Sequence, residues 1–366
     1  MQALQNRGDM SSVVNCPYSS DAQVVELVKR VYGLVPSTVK PLPSYLDQNF
    51  HLEVAGLGDF VLKIINYLEG RNPEVLEGML SAMMKLNEKG LPTPVPQTSL
   101  DGKRVSVESI EYSSNSHQHM VVMLTYLQGT PIAKIKSSPQ LLYEIGRMAA
   151  RVDSVLTELD SSYVKALSRN DFIWNLTNVP LLEQYLWHIK DNTLREVVAA
   201  VIQQFKERIE PNLPGFRKCV NHGDLNDHNI LVMPEEDGLD KPVYKISGIL
   251  DFGDMSYGFY VFEVAIVIMY MMIESPEPLN VGSPVLAGYE SMIPLNAAER
   301  DALYLLVLCR FCQSLVMASY NVVLHPENEE YLMITARSGW RLLLQLWKMG
   351  KEAAEELWFR PHKADI

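Results

Sequence analysis

At 366 residues the chain is long enough for one large or two medium domains, and 47% apolar with 21% charged residues is the balance of a globular protein able to bury a core. A formal charge of −12 argues against a broad nucleic-acid or anionic-membrane surface and is compatible with a cationic small substrate. Four cysteines, Cys16, Cys219, Cys309 and Cys312, are too few and too scattered for a disulfide framework, and the CxxC at 309–312 lies in an apolar helical stretch with no second pair to complete a zinc site.

Residues 1–18 show no periodicity and read as a loose tail without a secretory apolar run, so a soluble, cytoplasmic setting is expected. Ser20 and Gln23 stand at capping-box spacing, Val24, Leu27, Val28 and Val31 follow at helical intervals, and Gly33 is placed to end that helix. QNFHLEVA and FVLKII flank the turn GLGD as a β-hairpin. Pro73 opens a helix that runs to about Lys89, and two strands are expected at 104–111 and 119–127. Beyond TYLQGTP the texture becomes helical, with helices expected at 139–160, 180–209, 296–320 and 328–358. The window VAIVIMYMMI, 264–273, is too short to span a bilayer and reads as a further buried helix. The expected organisation is a tail (1–18), a small sheet-rich lobe (19–127) and a large mainly helical lobe (128–366), an α+β architecture with a cleft between the lobes.

The chemistry concentrates in HGDLNDHN, residues 222–229, which lies between apolar strand-like runs. NILVM, a turn, VYKISGIL and then DFGD (251–254) form a hairpin whose ends meet. Asp224 and Asn229 are therefore expected beside Asp251 as a hard-oxygen site suited to Mg²⁺. Far upstream, Lys63 lies in a strand and Glu77 on the following helix. Strand lysine, helix glutamate, hinge, Asp–Asn loop and Asp-Phe-Gly is the chain order of the protein-kinase parts.

HGDLNDHN resembles the H-x-D-x-x-x-x-N loop of the aminoglycoside phosphotransferase and choline kinase-like family, and LDFGDMSYGFYVFEVAI resembles its metal-binding motif. LPSY.DQNFH, RFCQSLVMA and the rest of the chain carry a closer match to one branch of that family. The resemblance implies a protein kinase-like two-lobed fold, with a small antiparallel-sheet N-lobe that binds nucleotide and a large helical C-lobe that binds substrate. It also implies Mg²⁺ held by Asn229 and Asp251, and GTP as phosphoryl donor.

Asp224 is expected as catalytic base, because phosphoryl transfer needs the acceptor hydroxyl held in line and a place for its proton. His222 reads as an organiser of the loop. Lys63 is expected on the α- and β-phosphates, positioned by Glu77 or, one turn earlier, Glu74. LPSYLDQNF, 42–50, stands where a nucleotide-positioning loop belongs but is no GxGxxG, so Ser44, Gln48 and Asn49 must supply its contacts. Met123 to Tyr126, Met123 and Thr125 among them, are expected to read the purine through the backbone. An acceptor of the closer branch carries two ammonium groups and a carboxylate. Asp227, Asp254, Glu263 and Glu274 are candidate acids for the former, and Arg310 a bidentate partner for the latter. Three rivals stay open: a kinase for choline, homoserine or an aminoglycoside; a metallohydrolase built on H-x-D-x-x-D-H; and a nucleotide-binding module without turnover.

Overall fold

The computed structural model describes residues 20–44, 47–66, 72–112, 115–235, 242–324, 326 and 334–360; the expected N-terminal tail lies outside them. The chain divides into two compact units, Met1–Gln128 and Gly129–Ile366.

In the first unit, helix α1 (Asp21–Tyr32) starts after Ser20, whose hydroxyl bonds the Gln23 side chain, and ends at Gly33 in the left-handed region at φ 70°. A five-stranded antiparallel sheet follows, formed by β1 (Thr38–Leu42), β2 (Gln48–Val54), β3 (Gly58–Ile64), β4 (Ser106–Tyr112) and β5 (Asn115–Thr125), in the order β1-β2-β3-β5-β4. Strand β1 was not anticipated. It carries Pro41, which a sheet tolerates on an edge strand, and β1 is an edge. Alternation decides the two faces. Phe50, Leu52, Phe60, Leu62 and Ile64 pack in one core with Val24, Leu27, Val28 and Val31 of α1. The intervening residues, Asn49, His51, Val61 and Lys63, therefore belong to the opposite face. Helix α2 (Pro73–Glu88) is capped by the Asn72 side chain, which accepts from Val75 N–H at 3.3 Å.

The second unit opens with the short strand β6 (Thr130–Pro131), then α3 (Pro139–Leu156) and α4 (Ser161–Ala166). The single helix expected over 180–209 is broken into 3-10 turns over Leu176–His188, which contain Pro180, and α5 (Asn192–Gln204), which runs into a π-turn. Strands β7 (Lys218–Asn221), β8 (Ile230–Pro234), β9 (Tyr244–Ile249) and β10 (Ser256–Phe259) form two small antiparallel sheets, β7 with β10 and β8 with β6 and β9. Helices α6 (Tyr260–Ile273), α7 (Gly282–Glu290), α8 (Ala297–Leu324), α9 (Ile334–Met349) and α10 (Lys351–Trp358) complete it. The expected window 264–273 is indeed a buried helix, α6. By length and composition α8 could cross a bilayer, but it is mostly buried within the unit, Cys309 and Cys312 included. Helices α3 and α7 touch backbone to backbone. A Cβ on Gly146 would collide with the Val285 carbonyl, and one on Gly288 with the Tyr143 carbonyl.

Candidate active site

Strand pairing places two polar loops side by side in the second unit. Register Ile230↔Ile249 sets residue 229 against residue 250, where Leu250 N–H donates to the Asn229 carbonyl at 2.8 Å. Register Ser256↔Asn221 closes the other end, so 222–229 and 250–255 are adjacent. Gly223, at φ 81°, makes the approach possible, since a Cβ there would lie 2.6 Å from the Asp254 carbonyl oxygen.

His222 has the structural role its sequence context implied. It is fully buried, its Nε2 bonds the Leu250 carbonyl at 3.0 Å, and its Nδ1 accepts from Asp224 N–H at 3.3 Å. Burial lowers its pKa to about 4, so the ring is neutral. Glu263, considered above as an acid for a substrate ammonium, is instead fully buried at the start of α6. Its carboxyl accepts from Gly223 N–H at 3.2 and 3.3 Å, and burial pushes its pKa up to about 7.

Asp224 receives three side-chain donors. Oδ2 accepts from Asn226 Nδ2 and Asn229 Nδ2, both at 2.9 Å, and Oδ1 accepts from Arg310 Nη2 at 3.0 Å. Burial raises its pKa, with the Arg310 guanidinium opposing. Arg310 comes from α8, is 1% exposed, and was expected to meet a substrate carboxylate. Its two terminal nitrogens are occupied otherwise: Nη2 by Asp224 and Nη1 by the Trp174 carbonyl at 3.2 Å. The rings of Trp174 and Tyr270 lie 5.2 and 5.3 Å from the guanidinium carbon. One turn along, Gln313 Nε2 donates to the Ile173 and Asn175 carbonyls at 2.8 and 3.0 Å. Arg169, which sequence reasoning missed, donates to the Gly253 and Met255 carbonyls at 2.8 and 3.3 Å and so braces the DFGD turn. Nothing local in the sequence signals either arginine's partner.

Asn229 and Asp251 fit a hard divalent cation. The Asn229 amide nitrogen donates to the Asp224 carbonyl and carboxylate, which leaves its Oδ1 as the acceptor atom. Asp251 is exposed and is the described non-glycine residue with positive φ, at 55°; its Oδ1 accepts from Gly253 N–H at 3.3 Å. One carboxylate and one amide oxygen suit Mg²⁺, which keeps water and phosphate in its shell. Among the described residues no three of His, Cys, Asp and Glu converge as a metal cluster, so the metallohydrolase reading has no ligand set. Of the remaining acids, Asp227 is 4% exposed and pushed up to about 6 by burial. Half-buried Asp254 is pushed up to about 8 by burial and by Asp224, and Glu274 is exposed at the end of α6.

In the first unit, register sets Lys63 between Asn49 of β2 and Val122 of β5. Lys63 forms an ion pair with Asp47 at 3.5 Å, whereas Glu77 pairs with Arg104 at 2.8 Å and Glu74 is exposed. Glu77, expected beside Lys63, is thus engaged by Arg104, and Lys63 meets Asp47, whose carboxylate also accepts from Asn66 N–H at 3.0 Å. Ser44 lies in the β1–β2 connection and its hydroxyl bonds the Asp47 carbonyl; Gln48 and Asn49 already belong to β2. Asn49 Oδ1 is buried with no hydrogen-bond partner among the described residues. Backbone groups of Met123 and Thr125, expected at the purine, are engaged elsewhere. Met123 O accepts from Gln97 N–H at 2.7 Å, Thr125 N–H donates to Val95 O at 3.0 Å, and the next N–H, of Tyr126, donates to Asp59 O at 3.0 Å.

A model of the phosphotransferase enzyme family matches residues 38–303, and the chain belongs to that family. Its fold is the protein kinase-like one, as expected. A solved structure described as the microcompartment-associated aminopropanol kinase superposes with a TM-score of 0.65 at 15% identity, covering 89% of this chain and 98% of that one. The hydroxylysine kinase of Danio rerio is 51% identical over 351 residues, 96% of this chain and 98% of the relative. That of Bos taurus is 49% identical over 364 residues, 98% and 97% of the two chains. The chain is an enzyme, a phosphotransferase with an alcohol group as acceptor.

Proposed function

We propose that the protein transfers the γ-phosphoryl group of GTP to the hydroxyl of 5-hydroxy-L-lysine, giving 5-phosphohydroxy-L-lysine and GDP, with Mg²⁺ as cofactor. The observation that carries the reading is identity near 50% to hydroxylysine kinases across almost all of both chains. The Asp224 site supports it chemically.

Asp224 accepts the proton of the acceptor hydroxyl while holding that oxygen for attack. Asn229 and Asp251 would hold the Mg²⁺, which neutralises phosphate charge when bound. Lys63 supplies a cation for the α- and β-phosphates. Asp227, Asp254 and Glu274 are the acids for the two ammonium groups of the acceptor. The rigid framing of Asp224 suits a reaction in which catalysis is mostly placement.

Purified protein is incubated with Mg²⁺, hydroxylysine and either GTP or ATP, and the product is read by mass spectrometry. The expected outcome is a phosphorylated amino acid formed faster with GTP, and a kcat about 10²- to 10⁴-fold lower in Asp224→Asn. Equal or better use of ATP overturns the donor. Product from choline, homoserine or another amino alcohol but none from hydroxylysine overturns the acceptor.

A further inference from the structure

An ionised carboxylate offers about four acceptor positions, two on each oxygen. Both positions on Asp224 Oδ2 are filled, by Asn226 and Asn229, and one on Oδ1 is filled by Arg310. Among the described residues none fills the second position on Oδ1, on a side chain that keeps 18% of its surface exposed. We propose that Oδ1 is the proton-accepting atom of the phosphotransfer, and that Arg310 is a positioning residue fixing this oxygen toward the acceptor hydroxyl. This inference rests on Asp224 acting as the base, as set out above.

The step balances without a further reactant. The acceptor O–H bond breaks and its proton passes to Oδ1. The oxygen's electron pair forms the new O–P bond as the bond from γ-phosphorus to the nucleoside diphosphate breaks. Arg310 keeps its charge throughout and, of the reacting groups, touches the base alone.

The geometry separates this role from binding of a substrate carboxylate. A bidentate partner must present two N–H groups on one open edge. Arg310 has Nη1 on the Trp174 carbonyl and Nη2 on Asp224, and its Nε is buried with no hydrogen-bond partner among the described residues. At 1% exposure, with rings of Trp174 and Tyr270 beside it, the guanidinium shows no such edge to an arriving molecule. Its plane is fixed by those contacts, and with it the rotamer of Asp224. Gln313, from the same helix, pins the carbonyls on both sides of Trp174, so the clamp is itself held.

The test is steady-state kinetics of Arg310→Lys and Arg310→Gln with hydroxylysine and with its decarboxylated diamino alcohol. The expected result is a kcat roughly 100-fold lower in Arg310→Gln, partly restored in Arg310→Lys. The acceptor KM stays within about threefold, and the proportional loss is the same for both acceptors. An acceptor KM that rises while kcat is kept, together with lost preference for the carboxylated acceptor, overturns the proposal in favour of a carboxylate ligand. Unchanged kcat in soluble, folded variants overturns it as well. If neither variant folds, Trp174→Leu at its half-buried position takes their place: a lower kcat at constant KM upholds the clamp, and an unchanged kcat removes it. If the wild-type enzyme prefers another amino alcohol, the hydroxylysine reading fails separately and the same split is measured on that acceptor.

Discussion

Lys63 owes its place to strand register. Alternation along β3 sends Leu62 and Ile64 into the core and Lys63 to the other face, between Asn49 and Val122. Its ion pair with Asp47 is half-buried, and such pairs are worth about 1 kcal/mol or less, which is about fivefold in an equilibrium constant. Asp47→Asn is therefore expected to raise the nucleotide KM by up to about fivefold. Glu77→Gln, which breaks the pair with Arg104, should change it by less than about twofold. Kinetics at saturating acceptor with varied nucleotide check this, and the reverse order of effects would restore Glu77 as the partner of Lys63. Sequence pointed to Lys63 because a cation in an alternating strand is visible locally. It did not point to Asp47, because a connection with no regular period gives no hint of where its carboxylate will turn. The same holds for Arg310 and Asp224, 86 residues apart.

At the scale of elements, α3 and α7 cross with their backbones in contact. Gly146 and Gly288 each sit where an added carbon meets a carbonyl of the opposite helix. Gly146→Ala and Gly288→Ala are each expected to cost about 1–3 kcal/mol through overpacking. Gly215→Ala, whose added carbon meets Ala298 Cβ at 3.6 Å, serves as the near-neutral control. Urea unfolding midpoints at constant slope read the difference. Long periodic helices such as α2 and α8 were legible because their apolar residues recur at helical spacing. Strand β1 was not, because proline and lysine mask a short edge strand. Helix α7 was not, because Gly, Ser and Pro at its start read as a turn. The loops of the site were legible because each is contiguous and bracketed by apolar strands, and the β8–β9 hairpin between them brings their near ends together.

For the molecule as a whole, the formal charge of −12 bears on encounter with substrates of opposite sign. A cationic acceptor is attracted and an anionic nucleotide is not. Raising ionic strength from about 0.02 to 0.3 M is expected to lower kcat/KM for hydroxylysine by a few-fold to roughly tenfold, without a matching fall for the nucleotide. Stopped or steady-state assays across a salt series measure it, and a flat acceptor profile would show that the excess charge plays no part in capture. The alliance of Asp224, Trp174, Tyr270 and Arg310 has a different consequence, for inheritance. These four side chains come from four separate stretches of the chain, the 222–229 loop, the turn before Asn175, α6 and α8. In recombination between distant relatives they behave as one heritable unit spread over four stretches of sequence: a chimera that takes α8 from one parent and the Trp174 stretch from another inherits a guanidinium without its platform, however well each parental piece folds.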